Sequence, residues 1–245
     1  MKDFEGHCER IFEEWMKGSR KWDAFGRDFL PDHLPEPYYT IREGKRVLYV
    51  LNYNPGCGLA IQSRDDIRKH DHRSFGSVSA RLSNYYMNDL RGAARNRNEK
   101  ILQLARALGF DGVKCVETFY LHSAKFDANM YLKRYGNNET VIEYIGLLTD
   151  HLRDKPVVAI GAVGSNATLE SLTNGSNAWL AFRSRIIGLD LANSQFLRIT
   201  EKNNRATSGF FIGKNRKIAS VMMGSNNLPK ITAEKMAEIK KAFLD

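Results

Sequence analysis

At 245 residues, 42% of them hydrophobic and 27% charged, the chain has a composition ordinary for a globular protein, and it is long enough to bury a sizeable core. Its 37 Lys and Arg against 28 Asp and Glu leave a net charge of +9, which favours polyanions through counterion release and makes nucleic acid the first partner to consider. Three scattered cysteines (Cys8, Cys57, Cys115) with no Cys-x-x-Cys pair exclude a disulfide framework, structural zinc of that type and a cysteine-held iron–sulfur cluster.

The chain opens on an acidic, amphipathic stretch. Over residues 3–17, Phe4, Cys8, Ile11, Phe12 and Trp15 recur at helical spacing, which predicts a covering helix. This is not a charged-then-apolar leader, and no run of about 18 apolar residues follows anywhere, so a cytoplasmic protein without a membrane span is expected. Residues 18–44 carry Pro31, Pro35 and Pro37 with little periodicity and read as a long wrapping segment, with Tyr38 and Tyr39 as packing residues.

The run Val47–Gly56 is the most informative stretch. An apolar, β-branched run predicts a strand buried on both faces, and Asn54-Pro55-Gly56 predicts a turn at its carboxyl end. Open α/β sheets place their ligands at such strand ends. Residues 57–98 are long, polar and without a strong period. They interleave arginines, Arg73 and Arg97 among them, with Phe75, Tyr85 and Tyr86, a mixture suited to phosphate contact and base stacking. His70-Asp71-His72 lacks a nearby third ligand, so no metal is expected there.

Further on, the spacing predicts a helix over 99–108 stopped by Gly109, and a strand from Val113 to Phe119 leading to His122. A helix follows over 139–153, then a strand over 156–161. The turn after that strand holds Gly161, Gly164, Ser165 and Asn166, and either of the last two suits a helix cap whose free N–H groups would accept an anion. A helix is predicted over 178–188, short strands near 196–199 and 209–213, and a last strand at 218–223. That strand empties into Gly224-Ser225-Asn226-Asn227-Leu228-Pro229, and a helix over 232–244 is capped by Thr232. The strand–helix alternation predicts one domain over residues 1–245, built as a three-layer α/β/α sandwich with a mostly parallel central sheet: 1–44 as helix and wrapping segment, 45–230 as core, 231–245 as closing helix.

Asn54-Pro55-Gly56 after a buried strand resembles the first motif of the uracil-DNA glycosylase superfamily, in the branches that carry Asn-Pro-Gly. A middle strand, a glycine-rich third strand and a last strand with its loop follow in that family's order, across roughly residues 45–230. The resemblance implies a uracil-DNA-glycosylase-like fold and a cofactor-free, metal-free, monomeric enzyme. Such an enzyme hydrolyses the N-glycosidic bond of a base turned out of DNA.

Carried onto these positions, it implies that Asn54 positions the attacking water and that Glu117 acts as a base or steadies the cationic sugar. Asn226 is the candidate donor to the departing base, with Asn227 and His122 as alternatives. Phe75, with Tyr53 behind it, is the candidate for stacking on the extruded base. Thr118 and His122 sit where the base is read, and Leu228 falls where a side chain enters the duplex. Gly56, Arg73, Ser165, Asn166 and Asn227 are candidates for DNA contact.

Two departures bear on specificity. Uracil-reading members commonly place an asparagine near the end of the middle strand, where this chain has Glu117-Thr118-Phe119. Their last loop usually carries histidine or asparagine followed by Pro-Ser, where this chain has Gly224-Ser225-Asn226-Asn227. Both changes leave room for a larger base, and the expected substrate is a modified one, such as an enlarged cytosine of phage DNA met in a defence role. The alternatives are an ordinary uracil or mismatch glycosylase of base-excision repair and a non-catalytic DNA-binding member of the fold. An unrelated enzyme seating a nucleotide phosphate at residues 161–166 is a third, although that turn lacks the spacing of a P-loop or a dinucleotide fingerprint.

Overall fold

The computed structural model describes residues 3–53, 63–69, 74–89, 92–123, 126–161, 169–173, 176–202, 206–222, 228–229 and 231–244. Seven strands form one sheet: β1 (Tyr38–Arg42), β2 (Val47–Asn52), β3 (Gly112–Glu117), β4 (Val157–Ala159), β5 (Gln195–Lys202), β6 (Ala206–Gly213) and β7 (Lys217–Met222), in the order β1-β3-β2-β4-β7-β6-β5. The middle of the sheet, β3-β2-β4-β7, is parallel, and its strands are the buried apolar runs that the sequence marks out. Antiparallel strands finish both edges, with β1 on β3 at one side and the β5–β6 hairpin on β7 at the other.

Strand β1 lies inside the stretch expected to wrap without structure. Its Tyr39, Thr40 and Ile41 are buried, and two prolines immediately upstream hide the short strand from a periodicity reading.

The helices are α1 (Phe4–Met16), α2 (Arg64–Lys69), α3 (Phe75–Asn84), α4 (Gly92–Ala107), α5 (Ala128–Tyr135), α6 (Glu139–Leu152), α7 (Leu169–Thr173), α8 (Ala178–Ile187) and α9 (Ala233–Leu244). The span 57–98, read from sequence as aperiodic, thus contains α2, α3, a π-helical turn at Tyr85–Asp89 and the start of α4. Polar caps set the helix starts: Ser74 Oγ accepts from Ser77 N–H, Asn138 Oδ1 from Thr140 N–H and Asn177 Oδ1 from Leu180 N–H. Thr232 caps α9 as expected, accepting from Lys235 N–H at 3.3 Å, and Gly109 ends α4 at φ +89°.

Helix α4 connects β2 to β3 on one side, whereas α6 connects β3 to β4 on the other side of β2. Right-handed crossovers therefore send them to opposite faces. Accordingly α6 packs with α1 and α8, and α4 packs with α9. This mixed α/β arrangement is compatible with a three-layer sandwich. The crossover reversal also makes β2 the switch strand, with its crevice at the carboxyl ends of β2 and β4.

Candidate active site

Strands β2 and β3 run in register, so their last residues, Asn52 and Glu117, stand side by side. Partners in register point to the same face of the sheet. Asn52 Nδ2 donates to Glu117 Oε1 at 2.9 Å and to Tyr39 Oη at 3.2 Å, and Arg97 Nη2 of α4 donates to the same phenol at 3.0 Å. Main-chain anchors hold the pair in place. Tyr144 Oη donates to the Glu117 carbonyl at 2.8 Å, while Thr118 donates both its N–H and its hydroxyl to the Asn52 carbonyl.

The Glu117 side chain is 1% exposed, and its Oε2 has no hydrogen-bond partner among the described residues. Burial raises its pKa to about 8; the Arg97 and Arg183 charges and the Asn52 amide pull against that shift, and nearby Glu36 adds to it. At neutral pH the carboxyl is mostly protonated, and it is poised to exchange its proton just above.

A second buried carboxylate adjoins this pair. Glu36, lodged between Pro35 and Pro37, accepts from Tyr86 Oη at 2.8 Å and faces His122 Nε2 at 3.3 Å from its other oxygen. The Tyr86 ring stacks on Tyr39 with centroids 3.8 Å apart, which joins the two carboxylate groups into one polar cluster. His122 is buried, with the His33 ring 5.7 Å away.

Arg183 of α8 closes the cluster from the side of β4. Its guanidinium donates to the carbonyls of Leu51, Asn52 and Ile160, and lies 4.9 Å over the Tyr53 ring. Burial lowers its pKa to about 10.

The structure therefore brings together Glu117, the candidate for activating water or steadying the sugar, with Thr118 and His122, two of the candidates for reading the base. Tyr53 stands beside them, mostly buried against Trp179 and Phe126 at 5.3 and 5.4 Å. Two expectations are corrected. Phe75 is 0% exposed and packs in the core against Phe12 and Tyr38, so it presents no face to a base. Leu228 is also 0% exposed, with its carbonyl held by Lys100 Nζ at 3.1 Å, so it does not project toward a duplex. Asn54, Gly56, Arg73, Ser165, Asn166, Asn226 and Asn227 lie outside the described residues, as do His70 and His72.

Sequence reasoning did not single out Asn52, Glu36 or Arg183, and it read Tyr39 as packing and Arg97 as a phosphate contact. Each of the first three carries a local signal: a polar residue closing an apolar strand, a carboxylate between two prolines, and an arginine in the otherwise apolar start of a helix. Among the described residues, no cluster of three or more His, Cys, Asp or Glu is arranged to hold a metal ion, and no helix is long and apolar enough to cross a membrane. Comparison with protein-family models, curated proteins and solved structures yields no match.

Proposed function

We propose that this chain is a DNA N-glycosylase acting on a base turned out of the helix, with a modified base, such as a bulky modified cytosine, as its substrate. The observation that carries this reading is the buried Asn52–Glu117 pair at the carboxyl end of the switch strand, two residues before Asn54 of the Asn-Pro-Gly motif in the sequence. The net charge of +9 supports a polyanionic partner.

In this reaction the C1′–N bond breaks, its electron pair leaves with the base, and a water oxygen bonds to the sugar carbon. The water's proton goes to a base, and the departing base takes up a proton from a donor. Asn54 orients the water, and Glu117 in its ionised form takes the proton and offsets the positive charge on the sugar. The pairing of Glu117 with Asn52 presets that carboxylate's direction. His122, backed by Glu36, serves as a proton donor toward the leaving base.

The test is base release by the purified protein, without added metal, from DNA containing uracil, mismatched thymine, and normal or hypermodified cytosines. Alkali-labile sites on the hypermodified DNA alone are the expected outcome. Equal release of modified and unmodified bases would reject the modified-base specificity. No release, with salt-sensitive DNA binding retained, would replace the enzyme by a binding member of the same fold. In the active protein, Asn54→Ala is expected to abolish release while leaving DNA binding intact.

A further inference from the structure

Arg183 is an uncommon residue for its position. It is 0% exposed, sits on a helix whose neighbours Trp179, Leu180, Ile186 and Ile187 are core residues, and forms no ion pair among the described residues. A buried guanidinium without a carboxylate partner is costly unless its donors are well used. Here the two Nη groups are used on the main chain of two strands at once, while the buried Nε has no hydrogen-bond partner among the described residues. Nη1 donates to Ile160 O, just past β4, and Nη2 to Leu51 O and Asn52 O at the end of β2. The planar fork reaches the two strands from separate Nη atoms held at a fixed spacing, a geometry that a single ammonium nitrogen does not reproduce.

β2 and β4 are the strands on either side of the switch crevice. The Asn52 carbonyl that Arg183 grips belongs to the residue whose amide binds Glu117. From the other side the same carbonyl takes the N–H and hydroxyl of Thr118, so the end of β2 is clamped between β3 and α8.

We propose that Arg183 is a positioning residue for this site: by holding the ends of β2 and β4 together it fixes Asn52, and through Asn52 it aims the Glu117 carboxylate. The inference rests on the glycosylase reading for its consequence in the reaction, but not for its structural content. Arg183 itself lies behind the strand ends and acts through them.

The readout is the titration of the Glu117 side chain, followed by carbon-detected NMR of labelled glutamate. Other groups around this carboxyl are Arg97 from α4, Glu36 from the segment before β1, Tyr39 on β1, Cys115 on β3, Tyr86 and Tyr144. All of these stay unchanged in a variant of Arg183. In R183K a charge remains but the fork is lost. The Asn52 amide then loosens and the Glu117 midpoint is expected to rise by about one pH unit. A folded R183K with the wild-type midpoint would overturn the proposal.

R183Q, which keeps amide donors but no charge, serves if R183K does not fold; because the Arg183 charge itself lowers the Glu117 midpoint, the readout there is exchange of the Asn52 side-chain amide protons, expected to quicken, and exchange as slow as in wild type would overturn the proposal. In the wild-type protein, the Arg183 Nη protons are expected to give separate, slowly exchanging resonances, and rapid exchange would overturn the proposal with no variant needed. Base release gives the separate arm. If wild-type protein releases base, the rising limb of its pH profile is expected to move with the Glu117 midpoint in R183K. If it releases none, the glycosylase reading fails while the titration still decides the role of Arg183.

Discussion

Asn52 and Glu117 are 65 residues apart in sequence and direct neighbours in the parallel register of β2 and β3, joined by a 2.9 Å hydrogen bond in the buried end of the sheet. One amide proton of Asn52 goes to the carboxyl and the amide also reaches Tyr39, so the pair is at once a structural link and the orienting element of the site. Asn52→Leu removes both bonds and leaves a buried carboxyl with no side-chain donor. It is expected to cost about 2–3 kcal/mol in chemical denaturation and to raise the Glu117 titration midpoint further. A loss below about 0.5 kcal/mol would mean that the amide is dispensable to the fold.

Glu117→Gln tests the carboxyl by stability as well as by chemistry. The folded-state pKa, about 8, lies above the ordinary carboxyl value of 4.5, so between these two values the folded chain holds a proton that the unfolded chain has released. Stability from this group is present at acid pH, declines as pH rises from 4.5 towards 8, and levels off above. The glutamine variant keeps an acceptor for Asn52 without a charge. Denaturation curves at pH 5 and pH 8.5 are expected to show it gaining on wild type by an amount on the order of 4 kcal/mol across that window. Parallel curves for the two proteins would show that Glu117 titrates normally.

The same proton sets the expected pH–rate profile. With Glu117 ionised in the reactive form, kcat/KM for base release should rise with pH to a midpoint near 8. In Glu117→Gln the activity is expected to fall by about 100-fold or more and to lose that limb. A wild-type profile flat from about pH 6 to about pH 9 would take the role of base away from Glu117.

Phe75→Ala separates packing from base contact. The ring lies between Phe12 of α1 and Tyr38 of β1, so its removal opens a cavity in the core and is expected to cost about 3–5 kcal/mol. DNA affinity, measured at a temperature where the variant is fully folded, should stay within about twofold of wild type. A stacking residue would show the reverse, with affinity lost and stability kept.

Much of the architecture was legible in the chain. The buried strands β2, β3, β4 and β7 are short apolar runs closed by turn residues, and α1, α6, α8 and α9 announce themselves by period and caps, so sequence alone determined an α/β fold and pointed to the end of β2. Glu117 and Thr118 were named as candidates through the family resemblance, and the structure puts them at the end of β3. Whether a side chain faces solvent or core is another matter. Phe75 and Leu228 look like exposed recognition residues in one dimension, and only packing against Phe12 and Tyr38, or beneath Lys100, places them inside. The cluster around Glu117 was also beyond sequence, because Asn52, which bonds it, Tyr39 and Arg183, which bond Asn52, and Arg97, which bonds Tyr39, come from β2, β1, α8 and α4, and none is near it in the chain. Local propensity and periodicity act over a few residues and fix the elements; the crossovers decide which strand ends meet, and only that meeting makes a buried carboxyl, its amide and a clamping guanidinium into one site.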